Sequence, residues 1–213
     1  MTIIHNNLKA ADKNYPVIFS ALTFLLLLFS FVFAVSKEVW VLEVMPILLG
    51  FPVLFFTYKR FKFTSLAYVL LVIHFIIICV GAIYTYAEVP LGYWMKEWFG
   101  FARNNYDKIG HFAQGFIPAI IIREVLLRTS PLRQGKWLGF IVASICLAIS
   151  ALYEIAEWWS AVALKTSAEA FLGLQGYEWD SQSDMFFALI GAIAALLLLS
   201  KLHDKLLKVL ETR

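Results

Sequence analysis

Charge is what this chain has least of. Only 15% of its 213 residues are Asp, Glu, Lys or Arg, 61% are apolar, and the mean hydropathy is +0.76. A soluble domain carries about 25% charge, so a water-soluble globule and a disordered chain are both excluded. Cysteine is scarce too. Cys79 and Cys146 each fall inside an apolar run with no other soft ligand beside them, which excludes a disulfide scaffold and leaves both as small buried hydrophobes. Eleven glycines and six prolines are too few for a collagen-like chain. The net charge is only +3, and the basic residues sit at the ends of apolar runs, so nucleic-acid binding has no support.

What is present is apolar sequence in long stretches. A helix needs about 20 such residues to cross the hydrocarbon core. Six stretches qualify, over 16–36, 39–58, 63–87, 109–127, 137–160 and 185–201. Each is apolar on every side, as a lipid-embedded helix is, and none alternates as a barrel strand would. The sequence therefore predicts an all-α polytopic membrane protein, one domain over 1–213 built as a bundle of six transmembrane helices. Ala34-Val35-Ser36 has the small-x-small form of a signal cleavage site, but the apolar run before it is longer than the about 7–15 residues of an h-region.

The loops give the orientation. Lys9, Lys13, Lys59, Arg60, Lys62, Arg123, Arg128, Arg133, Lys136, Lys201, Lys205, Lys208 and Arg213 fall on one side, and only Lys37, Lys96, Arg103, Lys108 and Lys165 on the other. Cytoplasmic loops collect Lys and Arg, so both termini are expected in the cytoplasm. Six of the seven tryptophans then lie at the outer interface and Trp137 at the inner one. In the loop 91–106, Trp94, Trp98 and Phe101 recur at helical spacing, which fits either a short interfacial helix or an irregular loop with anchoring aromatics. His74 and Glu43, alone in the third and second runs, read first as packing residues, Glu43 with the larger functional share. Acidic residues concentrate in the second half, against two equivalent halves around a midplane site.

Three segments carry the remaining chemistry: Asn104 to Gly115 entering the fourth run, Tyr153 to Trp159 at the end of the fifth, and Gln175 to Asp184 before the sixth. The orientation set by Lys and Arg puts all three at one depth of the outer leaflet. Asp107 and His111 are one turn apart, Glu154 and Glu157 share a face, and so do Asp180 and Asp184 if that helix starts early. Simpler roles exist for the aspartates. Asp107 suits an N-cap, and Ser181-x-x-Asp184 a variant capping box. The glutamates are harder to explain away, because they sit near a helix C-terminus, where the dipole opposes negative charge, and each costs about 2.5–3.5 kcal/mol on membrane-insertion scales. Asp107, Glu154, Glu157, Asp180 and Asp184 face only Arg103, Lys108 and His111 as compensating charge. Crowded carboxylates raise one another's pKa or demand a cation. With the His111 imidazole they form a hard-to-borderline ligand set for Mg²⁺, Mn²⁺, Ca²⁺ or Zn²⁺, the alternative being a proton-sharing cluster.

At Asp107-Lys108-Ile109-Gly110-His111-Phe112, Tyr153-Glu154-Ile155-Ala156-Glu157-Trp158 and Trp179-Asp180-Ser181-Gln182-Ser183-Asp184-Met185 the chain resembles the YjdF-like family of uncharacterised bacterial inner-membrane proteins. More distantly, its second half is similar to the VanZ-like membrane proteins, on Asp107, Lys108, His111, Phe112, Glu154, Asp184 and Gly191, with Glu157 near that family's Gln. The first resemblance implies a multi-pass protein of the bacterial inner membrane. The second points to cell-envelope substrates.

The function these readings lead to is an acidic, divalent-cation-binding pocket at the outer leaflet that acts on an envelope lipid headgroup or isoprenoid phosphate. Asp107, His111, Glu154, Glu157, Asp180 and Asp184 are the candidate metal ligands, and His111 or Glu157 the candidate general base of a metal-dependent hydrolase or transferase. Membrane lipids are the expected partners. A proton- or cation-coupled transporter and a non-catalytic assembly partner are the rival readings.

Overall fold

The computed structural model describes residues 2–164 and 177–211, with side chains from 17 to 163 and from 177 to 210. The Lys9, Lys13, Lys165 and Arg213 side chains and the Gln175-Gly176 pair therefore lie outside the described residues. Among the described residues every regular element is helical: α1 (Thr2–Phe33), α2 (Lys37–Glu43), α3 (Met45–Thr57), α4 (Ser65–Tyr84), a 3-10 turn at Tyr86–Glu88, α5 (Pro90–Phe99), α6 (Tyr106–Thr129), α7 (Lys136–Leu164) and α8 (Asp180–Glu211).

Four of these helices, α4, α6, α7 and α8, are each long and apolar enough to cross a membrane, and α2 with α3 makes a fifth if the bent pair is one span. The first run falls on α1, which ends at Phe33, three residues before the expected end. Its apolar described part, Val17–Phe33, covers about 26 Å at 1.5 Å per residue.

The second run, expected as one helix over 39–58, is broken. α2 and α3 meet at Val44 with a bend of 51°. The cause is local. Pro46 has no N–H to give and its ring crowds the carbonyl four residues back, so the first helix stops and proline is accepted in the first turn of the next. Ser36 caps α2 by accepting from Val39 N, and Lys37 reaches back to the Phe31 and Val32 carbonyls at the end of α1 and to that of Ala34 just beyond it.

The bundle has two apolar centres. Phe19 of α1 packs against Phe51, Tyr68 and Phe75, joining α1, α3 and α4. Leu70, Ile117, Ile120, Val142, Ala192 and Ala195 join α4 to α6, α7 and α8. α6 and α8 form the most extensive helix pair, and small residues make that possible. Gly115 lies against the Ala188 backbone and Gly191 against the Phe112 backbone, so the two main chains touch with no side chain between them. The outward faces carry Phe24, Phe140, Leu197 and Leu198, all strongly exposed. Bare apolar faces of this extent belong in lipid.

α5 bears out the helical reading of the loop after the third run, with Trp94 stacked on Trp98. It ends earlier than the spacing implied. Gly100 takes the left-handed conformation (φ 67°) and closes the helix, so Phe101 lies beyond it, stacked on Phe99.

Candidate functional site

α6 begins at Tyr106 because Asn105 is its N-cap residue and the Asn104 side-chain oxygen accepts from Tyr106 N. Asp107 is thus in the first turn rather than at the cap. It is favoured there by the dipole and lies on the same helix as Lys108, His111 and Gln114. Gly110 and Gly81 leave room for the Tyr86 ring, which a Cβ at either position would meet at 2.7 and 2.2 Å. That close approach seats the start of α6 on the end of α4. α8 begins at Asp180, five residues ahead of the expected apolar run, so Ser181 is already helical and does not cap it. The early start puts Asp180 and Asp184 on one face, opposite α6.

These helix ends bring two basic residues among the aspartates. Lys108 Nζ donates to Asp180 Oδ1 and to Asp184 Oδ1, both at 2.6 Å, and lies 3.4 Å from Asp107 Oδ2. Arg103 donates to Asp180 Oδ1, stands 3.9 Å from Asp107, and covers the Tyr177 ring at 4.7 Å. Burial works against the Arg103 charge, but the hydrogen bond and charge of Asp180 outweigh it and hold the guanidinium above its ordinary value. Asp180 and Asp184 are buried, and the whole group is largely removed from water.

Deeper by one turn, His111 Nε2 lies 3.7 Å from Glu154 Oε1 on α7 and 3.8 Å from Asp184 Oδ1 on α8. Its other nitrogen, Nδ1, is 3.0 Å from Gln114 Oε1. A carbonyl oxygen can only accept, so Nδ1 carries a proton, and Nε2 is the nitrogen turned toward the two carboxylates. Among the described residues Glu154 Oε1 is buried without a hydrogen-bond partner, as is Asp107 Oδ1.

The structure thus assembles five of the six residues expected as ligands into two overlapping donor groups. One is His111, Glu154 and Asp184, the other Asp107, Asp180 and Asp184, and within each the donor atoms lie within 4.8 Å of one another. Glu157, one turn along α7 from Glu154, belongs to neither. It lies close enough to Tyr153 and Tyr86 for its charge to act on both phenols, as that of Glu43 also does. Burial, with those neighbouring acidic groups adding to it, pushes the Tyr86 phenol well above the ordinary tyrosine range. Glu43 comes closer to this site than its place in the first half of the chain implied. It ends α2 at the helix break, is only 9% exposed, accepts from Tyr86 N at 3.4 Å, and leaves Oε2 unpartnered.

Reasoning from sequence missed two things. One is Gln114, which orients His111, and whose only signal was a polar residue three positions on within an apolar run. The other is a second polar layer at the opposite end of α6. Glu124 is fully buried and accepts from Thr64 N (3.0 Å), Thr64 Oγ1 (2.8 Å), Arg128 (2.8 Å) and His203 Nε2 (3.0 Å). Arg123 donates to His203 Nδ1 at 2.9 Å and to Asp204 at 2.6 Å. A carboxylate on Nε2 and a guanidinium on Nδ1 fix His203 as the neutral tautomer protonated at Nε2.

Residues 15–205 match the family described as "Predicted membrane protein (DUF2238)". The chain is 45% identical over 190 residues to "Inner membrane protein YjdF" of Escherichia coli (strain K12), a match covering 89% of this chain and 91% of that protein. No solved structure matches it. The resemblance carried by the Asp107, Glu154 and Asp180 segments is therefore real, the expected multi-pass, inner-membrane placement stands with it, and the chain belongs to the DUF2238 family of membrane proteins.

Proposed function

We propose that the protein is a six-span membrane domain with both termini cytoplasmic, whose outer-leaflet cluster holds a divalent cation and acts with it on the phosphate-bearing headgroup of an envelope lipid. The observation that carries this reading is the convergence of three donors on one point. His111 Nε2 faces Glu154 Oε1 and Asp184 Oδ1 across 3.7 and 3.8 Å, and the three groups offer ligand atoms within 4.8 Å of one another. Ligands at about 2.1 Å on a tetrahedral metal stand about 3.4 Å apart, so small side-chain adjustments close the set. Gln114 accepts from His111 Nδ1 and so orients the ring, as a hydrogen-bond acceptor on the far nitrogen does for metal-binding histidines.

In this reading His111, Glu154 and Asp184 would hold the cation, which would supply Lewis-acid polarisation of a phosphoryl oxygen, and Glu157, outside the ligand set yet one turn from Glu154, is the general base. Asp107 and Asp180 hold Lys108 and Arg103 in place. The sixth span is α1, completed by residues on the N-terminal side of Val17, and α2 with α3 is one broken span. The VanZ-like resemblance of the second half supports an envelope substrate.

The test uses purified protein stripped with chelator. Mg²⁺, Mn²⁺, Ca²⁺ or Zn²⁺ should bind in about one equivalent and raise the melting temperature, and Glu154→Gln should lose the response. Glu157→Gln should keep the cation while abolishing the change in membrane lipid composition that expression of the wild type produces. No binding of any of these ions would leave a proton-sharing cluster as the account. Labelling at Leu8 and Gln134 should report cytoplasmic exposure.

A transport reading has one observation in its favour. Glu43, with its unpartnered oxygen, sits at a broken span, the arrangement that transporters use to bind coupling ions. Cation flux into reconstituted vesicles, lost in Glu43→Gln, would favour it over the lipid reading.

A further inference from the structure

Between α5, the start of α6 and the start of α8 lies a cavity of about 570 Å³. It flanks the cluster, and its walls differ from it in character. Phe101, Ile109, Phe112 and Phe187 supply most of the apolar lining, and the charged residues on its surface are Arg103 and Lys108, both cationic. Asp107, Asp180 and Asp184, which neutralise those two residues, stand behind them and do not line it. The ion network thus turns its basic side to an apolar chamber and its acidic side to His111.

Apolar walls with one cationic corner suit an anionic amphiphile. We propose that this cavity seats the phosphate end of a membrane lipid, with its oxygens on Arg103 and Lys108 and the first stretch of its hydrocarbon along Phe101, Ile109, Phe112 and Phe187. This deepens the lipid reading above and rests on it for the chemistry, but not for the binding.

Three physical points carry it. The guanidinium fork of Arg103 matches phosphate geometry, and Lys108 adds a point charge beside it. The volume lies within the range of about 300–1,000 Å³ that encloses a drug-sized ligand, so a headgroup and a short length of chain fit inside. The rest of a lipid must leave past Phe101 and Phe187, which are 40% and 36% exposed. Finally, Lys108 shares Asp184 with the His111 group. A cation bound by His111, Glu154 and Asp184 competes with Lys108 for that carboxylate and turns Lys108 toward the phosphate, so cation and lipid reinforce each other's binding.

The experiment uses the full-length protein in a phosphate-free detergent, with decyl phosphate, decanol and inorganic phosphate as probes, with and without Mn²⁺. Decyl phosphate should bind at least about tenfold more tightly than either of the other two. Ala102→Trp, which fills the cavity without removing any ion-pairing group, should weaken decyl phosphate about tenfold or more while the thermal response to Mn²⁺ stays as in wild type. If Ala102→Trp fails to fold, Phe187→Trp on the opposite wall takes its place with the same expectation. Equal binding of decyl phosphate and decanol would remove the cationic corner from the proposal. Inorganic phosphate binding as tightly as decyl phosphate would show a free-anion site and overturn it, as would unaltered binding in the filled variants. Decyl phosphate binding without any Mn²⁺ response would sink the metal reading and leave the lipid seat standing.

Discussion

Substituting Gly115 by Ala tests whether the α6–α8 contact sets the site. A Cβ at Gly115 falls 1.7 Å from the Ala188 carbonyl oxygen and 2.6 Å from its carbon. Ordinary contact begins at 3.4 Å, so the two backbones must part by about 1.7 Å along that line. Neither partner is a flexible side chain that can swing away. Overpacking of this kind costs about 1–3 kcal/mol, and backbone against backbone belongs at the upper end. For a chain of this length about 2–4 °C accompanies each kcal/mol, which puts the expected fall in melting temperature at roughly 2–12 °C. The displacement also reaches the ion network two turns away. Added to the 2.6 Å between Lys108 and Asp184, it carries the pair past the limit of about 4 Å for an ion pair, so the thermal response to added cation should shrink as well. Gly139→Ala is the control. No atom lies within 4 Å of a Cβ there, and replacing a helical glycine with alanine should raise stability by up to about 1 kcal/mol. Melting curves of both variants in one detergent decide the matter. If Gly115→Ala melts no lower than Gly139→Ala, close α6–α8 packing is not what holds the site together.

Two further substitutions separate the polar layers. Lys108→Met strips Asp180 and Asp184 of their shared cation, and in chelator it should cost about 3–5 kcal/mol, as breaking a buried pair does. Divalent cation should then stabilise it more than it stabilises wild type, and equal responses would show that the carboxylates do not share an ion site. Glu124→Gln breaks the inner network at its centre and should cost a similar about 3–5 kcal/mol with cation binding at the outer site unaltered, both read from melting curves with and without Mn²⁺. A reduced cation response in Glu124→Gln would mean that the two layers are coupled.

Helix existence was legible in the hydropathy because lipid selects for length and uniformity, and α4, α6, α7 and α8 follow the expected runs to within a few residues at most ends. The break at Val44 was not, although Pro46 stood in plain view. An apolar run reads the same whether straight or bent, and a proline is accepted inside a helix as well as in its first turn, as Pro52 of α3 and Pro118 of α6 show. The outer site was legible in composition and only partly in geometry. Spacing put Glu154 with Glu157, and Asp180 with Asp184, but it could not tell that His111 would turn toward Glu154 rather than Glu157. Nor could an excess of acid reveal that Lys108 would sit between Asp180 and Asp184, since that depends on α8 starting ahead of its apolar run. Glu124 and Arg123 were visible as lone charges. Their partners Thr64, His203 and Asp204 lie 60 to 81 positions away in the chain, and no local pattern connects them.

The contrast between the two layers is what assigns them different work. Both are buried, both are charged, and both tie α6 to α8. In the Glu124 layer each Glu124 oxygen accepts at least one hydrogen bond, and both ring nitrogens of His203 are engaged, so nothing there calls for a ligand and its role is to fix one helix register. In the His111 layer Asp107 and Glu154 each bury an oxygen with no partner among the described residues, and Glu43 does the same at the helix break. A buried polar atom left unpaired costs about 1–3 kcal/mol, and more when the group is charged. Three such atoms on separate elements around one site are a standing cost that packing alone has no reason to keep. A cation held by His111, Glu154 and Asp184, as proposed, would remove that cost at Glu154 and would leave Glu43 and Asp107 as the places to look for a proton or a second ion.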